Sequence, residues 1–278
     1  MNKGRHESWL WKGIIYLFLL AGMLFMLMPF YWMISTSLKS RVEAMRIPIV
    51  WIPKEPNWDN YRIIFSKYKF LNYYRNTIVV TLAEVGIQCF TCTMAGYAFA
   101  RLRVKGKNII FFACMTVMMV PSHMMMIPRF LMMQRLNLLN KLAGIILPNL
   151  PSIYGVFLLR QHFSSLPREL DESATIDGCG YFRIYWQICL PLIQNGLIAF
   201  VLIQILWAWN DMLWPMIVIQ RQRNFVLTIA ITAMQGQYSN NIPLMMTGGV
   251  IAMIPMLILF IVGQRHFLEG IARSGVKG

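Results

Sequence analysis

The chain has 278 residues, 57% of them hydrophobic and only 13% charged, with 26 Lys and Arg against 11 Asp and Glu for a formal net charge of +15. A soluble domain carries about 25% charged residues, so this composition excludes an ordinary soluble enzyme, and its apolar content excludes a disordered chain. The basic residues sit in short islands between apolar runs rather than clustering on a polar surface, which argues against a nucleic-acid binder. What remains is a membrane protein.

The N-terminal stretch is basic (Lys3, Arg5, Lys12), and an uncharged run from Ile14 to Ile34 follows it. That run is too long for a signal peptide and lacks a small-residue cleavage site, so it is expected to stay as a membrane helix. A bilayer core of about 30 Å needs about 20 apolar residues, and six stretches meet or approach that length. After Ile14–Ile34 come Thr77–Ala100, interrupted by Glu84, and Ile109–Pro128, which contains Pro121 and His123. Leu142–Leu159 carries Pro148 and Pro151. The fifth stretch, Pro191–Ile219, includes Asn195, Gln204, Asn210 and Asp211, and Leu244–Gly263 closes the set. Trp9, Trp11, Tyr31, Trp32, Tyr73, Tyr74 and Trp214 fall near span ends, at the headgroup level that Trp and Tyr favour.

With six spans the termini share a side, and the 26 basic residues then divide thirteen to thirteen between the two sides. Charge bias therefore does not orient the chain, although the dense island Arg101, Arg103, Lys105, Lys107 points to cytoplasmic termini. Five cysteines, an odd number, give no disulfide framework. Cys89-x-x-Cys92 lies in an apolar run without a nearby His or second pair and reads as apolar filling. The methionines between Met115 and Met133 read the same way. Glu84 could line the path or pair with a neighbouring helix; pairing is the favoured expectation, because an ionised group inside a membrane is costly.

Between the fourth and fifth spans, residues 160–190 form a different kind of segment. Pro167 is placed in the first turn of a helix, followed by Glu169, Asp171 and Glu172, which suit a helix N-terminus. Ser173, Ala174, Thr175 and Ile176 continue it, and Asp177-Gly178 supplies the stop. A second short helix is expected over Tyr181–Cys189. Two short helices along the membrane fit a docking surface, or an interfacial hairpin that covers the end of the bundle.

The string Glu172-Ser173-Ala174-x-x-x-Gly178, followed after nine residues by Ile188-x-Leu190-Pro191, resembles the EAA loop of ABC-importer permeases (E-A-A, three residues, G, nine residues, I-x-L-P). Serine replaces the first alanine. Ala95-Gly-Tyr-Ala-Phe-Ala-Arg-Leu-Arg103, Trp209-Asn-Asp-x-Leu-Trp-Pro215 and the tail Gln264-Arg-x-Phe-x-x-Gly270 to Gly275-Val-Lys-Gly278 resemble the sugar-importing, maltose-permease-like branch. The resemblance implies an all-α membrane protein of six transmembrane helices, with the type I ABC importer permease fold and a cytoplasmic coupling-helix loop. It implies an N-terminal segment 1–75, a permease core 76–267 and a cytoplasmic tail 268–278.

By the same resemblance Asp171, Glu172, Ser173, Ala174, Asp177 and Gly178 form the coupling set: Glu172 meets the ATPase, Ala174 permits close approach and Gly178 allows the turn. Gly275, Val276, Lys277 and Gly278 are implied to reach the ATPase. Trp209, Asn210 and Asp211 are candidates for the substrate path, where rings and hydrogen-bonding groups suit a sugar. The implied partners are a second homologous permease subunit, two ATP-binding cassette ATPase subunits and an extracytoplasmic solute-binding lipoprotein or periplasmic protein. A sugar, expected to be an oligosaccharide, is the solute. The chain itself has no G-x-x-x-x-G-K-[ST] phosphate loop, so it is expected to be no enzyme and to hold no cofactor or metal, with ATP and Mg bound by the partner ATPases. The expected location is the bacterial cytoplasmic (inner) membrane, multi-pass, both termini cytoplasmic. The alternatives are a permease for another solute such as a glycerol phosphate ester, or an ATPase-independent secondary transporter or channel.

Overall fold

A computed structural model describes residues 3–237 and 241–275, and every regular element among them is helical. Three helices are long and apolar enough to cross a membrane by themselves: α1 (Lys3–Ser37, crossing over Trp11–Ser37), α3 (Phe70–Arg101) and α13 (Ile242–Gly275, crossing over Ile242–Gln264). Between α1 and α3 lies α2 (Asp59–Lys67). Three further crossings are bent pairs. Helix α4 (Lys107–Val117) meets the segment Ser122–Arg135, which ends in α5 (Met126–Arg135), at 89°. Helices α6 (Leu142–Asn149) and α7 (Ile153–Ser164) meet at 46°.

After α8 (Glu169–Ile176), α9 (Tyr181–Leu192) meets α10 (Gln194–Asn210) at 79°. The short helices α11 (Leu213–Val218) and α12 (Leu227–Gln237) lead into α13.

The bends correct the expectation of continuous third, fourth and fifth spans, and two of them have a local cause. Proline disfavours helical geometry in the residue before it; the third span breaks just ahead of Pro121 and the fourth ahead of Pro151. The fifth is shorter than Pro191–Ile219 at both ends. The chain turns at Ile193, and α10 stops at Asn210 because Asp211 adopts an extended backbone (φ −64°, ψ 118°). The Asp211 carboxylate accepts from the Trp214 amide (3.4 Å) and so caps α11. Helices α2 and α12 are too short to span, and no apolar run of membrane length marked them beforehand.

The chain divides into two compact units. One comprises Met1–Phe70 with Ile231–Ile254. Within it, α1 keeps every residue from Trp11 to Tyr31 exposed, while the loop after α1 is tied down by polar contacts. The Lys39 ammonium, itself buried, donates to the Val50 carbonyl (2.5 Å) and sits 4.1 Å above the Trp32 ring. The Asn60 amide donates to the Ser37 and Lys39 carbonyls (2.8 and 3.0 Å), and the Thr247 hydroxyl reaches the Ser37 carbonyl (3.3 Å). Burial pushes the Lys39 amine below the ordinary lysine value, an effect that nearby Glu43 opposes.

The other unit, Leu71–Ala230 with Pro255–Gly278, has two apolar cores. One core gathers Tyr97, Leu159, Phe163, Ala174, Tyr185 and Phe200. The second gathers Val80, Met133, Ile145, Trp214 and Val218, and the Trp214 indole donates to the Gly144 carbonyl (3.1 Å). Gly144 packs so closely that a side chain there would clash with the Leu138 carbonyl oxygen.

Candidate functional site: a short acidic helix anchored to a long span, and a polar cavity

Helix α8 starts later than expected. Pro167 precedes the N-cap residue Arg168, whose carbonyl accepts from the Asp171 and Glu172 amides (3.0 and 3.2 Å). The helix ends in a Schellman turn: the Cys179 amide bonds back to the Ala174 carbonyl (2.9 Å) and the Gly178 amide to the Thr175 carbonyl (3.0 Å). Gly178 has φ +78°, the left-handed geometry such a turn requires, which glycine adopts without Cβ strain. Helix α9 follows, with a π-helical stretch over Ile184–Cys189.

The six expected coupling residues divide between two faces. Glu172, Ser173, Asp177 and Gly178 are exposed. Ala174 is buried among Ile184, Tyr185 and Cys189, so the close approach its small side chain permits is to the chain's own bundle. Asp171 also turns inward, to Arg101, the last residue of α3. The Arg101 side chain is only 4% exposed, and its Nε lies 2.7 Å from the Asp171 carboxylate. That contact is an ion pair without hydrogen-bond alignment. The two terminal nitrogens donate to the Leu166 and Pro167 carbonyls (2.9 and 2.7 Å). A groove of about 340 Å³ runs beside this pair, between Tyr97, Arg103, Arg168, Ile176 and Tyr181. Ile176, 86% exposed, and Tyr181 line the same groove as Glu172 and give it an apolar side.

A second site is a cavity of about 930 Å³ among α3, the two bent pairs α4–α5 and α6–α7, and α10. One polar chain runs through it: the Arg129 guanidinium donates to the Asn149 side-chain carbonyl (2.5 Å), and the Asn149 amide donates to the Glu84 carboxylate (3.1 Å). Glu84 thus pairs with a neighbouring helix, as expected, and also lines the cavity, the other reading of it. The Gln88 amide donates to the Asn149 backbone carbonyl (2.6 Å), and the Gln204 amide donates to the Ser152 hydroxyl (2.6 Å). These contacts satisfy polar groups freed where α6 gives way to α7. Arg129 also lies 4.6 Å above the Trp214 ring.

Asn210 and Asp211 line the cavity. Trp209 does not: it is buried, with its ring 5.9 Å from that of Tyr74. The aromatic wall is instead made by Trp207 and Tyr154, whose rings lie 5.2 Å apart. Of the expected tail contacts, Gly275 ends α13, and Val276, Lys277 and Gly278 lie outside the described residues. Among the described residues, no three His, Cys, Asp or Glu side chains gather as a metal site would require.

A family model described as "binding-protein-dependent transport system inner membrane component" matches residues 92–273. The chain belongs to that family. The matched stretch includes α8 and its anchor Arg101, most of the residues that line the cavity, and α13 through residue 273. The permease is 35% identical over 265 residues to the arabinooligosaccharides transport system permease protein AraQ of Bacillus subtilis, covering 94% of each chain. It is 32% identical to the probable starch degradation products transport system permease protein AmyC of Thermoanaerobacterium thermosulfurigenes, covering 90% of this chain and 91% of that one. Among solved structures, a chain of a bacterial ABC transporter involved in import of the acidic polysaccharide alginate superposes with a TM-score of 0.81 at 22% identity, covering 96% of this chain and 98% of that one. The permease therefore has the type I ABC importer permease fold and is a multi-pass inner-membrane component, not an enzyme.

Proposed function

We propose that this permease forms half of the pore of an ATP-driven importer for an oligosaccharide, with α8 docking an ATPase subunit at the cytoplasmic face. The observation that carries this reading is the division of α8 into two faces. Ala174 and Asp171 fix the helix to the bundle, and the same turn leaves Glu172, Ser173 and Ile176 free to meet a partner. The remaining subunits are a second homologous permease, two ATPase subunits that bind ATP and Mg, and an extracytoplasmic binding protein that delivers the solute. With α8 on the cytoplasmic side, both termini are cytoplasmic.

The sugar class rests on the transport of arabinooligosaccharides and of starch degradation products named for the relatives and on the cavity. Trp207 and Tyr154 offer apolar ring faces, and Asn210, Asp211 and Gln204 offer hydrogen bonds to hydroxyls. Among the described lining residues Arg129 is the one cation, and Glu84 and Asp211 both act on it electrostatically. A neutral sugar suits this balance better than a glycerol phosphate ester, whose dianion needs cations not already countered.

The test is Glu172→Lys and Ile176→Asp in the assembled importer. ATPase co-purification and uptake are expected to fall together while the amount of permease in the membrane stays level. Undiminished co-purification and uptake in both variants would overturn the docking role.

A further inference from the structure

We infer that Arg101 is a positioning residue that joins the coupling helix to the wall of the translocation cavity, so that movement of α8 is delivered to α3. The inference rests on the proposed docking of an ATPase on α8.

One guanidinium holds three points of a short connection. It grips the carbonyls of Leu166 and Pro167, which lead from α7 to α8, and the Asp171 carboxylate in the first turn of α8. Two of these contacts hold the connection that leads into α8 and the third is an ion pair to α8 itself, so a displacement of α8 loads the end of α3 through this one side chain. Helix α3 is one unbroken helix of 32 residues, and Glu84 and Gln88 of the cavity wall lie on it. At 1.5 Å per residue, Glu84 is about 25 Å from Arg101 along the axis. The pairs Tyr97–Tyr181 (hydroxyl to carbonyl, 3.3 Å) and Thr93–Tyr185 (hydroxyls 2.7 Å apart) add contacts one and two turns earlier on α3, but both reach α9. Among these α3 side chains Arg101 makes the direct grip on α8.

Stability alone is a poor reason for this arrangement. Replacing a buried ion pair by well-packed apolar residues is commonly neutral or stabilising. A planar guanidinium whose two terminal nitrogens donate to carbonyls supplies orientation, and its charge draws in the Asp171 carboxylate; a mechanical connection needs that orientation, and apolar packing gives it less well.

The experiment uses the complete importer in lipid vesicles and needs no knowledge of the solute. The probe is N-ethylmaleimide, and the readout, by mass spectrometry, is its rate of reaction with the Asn210→Cys side chain in the cavity, with and without ATP and Mg. With Arg101 intact, nucleotide is expected to change this rate by about tenfold, within the range typical of coupling between sites. Arg101→Met should reduce the change to less than about twofold while the ATPase subunits stay bound. Arg101→Lys, which keeps the charge and loses the fork, should fall between.

A nucleotide response in Arg101→Met equal to that with Arg101 intact overturns the inference. If Arg101→Met does not assemble, Arg101→Lys decides by the same criterion, and failure of both to assemble also overturns it, because the residue then serves folding. No bound ATPase, or no nucleotide response, with Arg101 intact would instead defeat the underlying docking proposal.

Discussion

Ala174→Leu separates the buried face of α8 from its exposed one. Ala174 is 5% exposed and packs against Ile184, Tyr185 and Cys189 of α9. Leucine adds three carbon atoms at a buried position, and overpacking of this kind costs about 1–3 kcal/mol. For a chain of this size each kcal/mol moves the unfolding midpoint by about 2–4 °C, so a loss near 2 kcal/mol corresponds to about 4–8 °C. Ser173→Leu, one residue away on the exposed face, should change stability by about 0.5 kcal/mol or less. The assay is the thermal midpoint of the purified importer in detergent, followed by loss of its monodisperse peak, beside ATPase co-purification. The expected outcome is a lower midpoint for Ala174→Leu and an unchanged midpoint for Ser173→Leu. An unshifted midpoint for Ala174→Leu, with the ATPase released, would refute the inward placement of Ala174.

Gly178→Val should disrupt the end of α8 by forcing a β-branched residue into left-handed geometry, a strain of about 1–2 kcal/mol, whereas Gly178→Asn is expected to be milder. ATPase co-purification of the two variants measures the difference. Asn149→Ala removes hydrogen bonds to both Arg129 and Glu84; with charged partners these contribute about 1.5–3 kcal/mol each, so the midpoint should fall by several degrees, and an unchanged midpoint would count against the network. For Lys39, whose amine is held below the ordinary lysine value of about 10.4, the unfolded chain binds the proton more readily within the intervening pH window. Stability should therefore rise with pH across that window, and Lys39→Met should remove the rise in a pH series of thermal midpoints.

The three long helices were legible because each is an apolar run of membrane length with no proline that breaks it; Pro29 and Pro255 lie inside helices that continue past them. The broken spans were legible as apolar stretches but not as bends. Pro121 and Pro151 mark two of the breaks, but proline is also carried within continuous helices, so its presence alone did not decide. The end of α10 depended on Asp211 bonding to the Trp214 amide, a local contact with no apolar signature. The EAA-like string located α8 and its terminal glycine, yet it is silent about which residues face outward. That depends on the direction from which α3 and α9 pack, and Arg101 is 65 residues from the first carbonyl it holds. The same limit explains Trp209 and Trp207. They are two residues apart on one helix, and only the position of the neighbouring helices decides which ring meets the cavity.

The polar lining of the cavity is also the material that repairs its broken helices. Gln88 occupies the Asn149 carbonyl, and the Ser152 hydroxyl caps α7 through the Gly155 amide (3.1 Å) while receiving Gln204. On the proposed sugar path, retuning selectivity at these positions would unfasten the scaffold along with the recognition surface. Tyr154 and Trp207 make the aromatic wall without serving in any of these repairs, so they are the positions at which a new solute preference can arise at least cost to the fold.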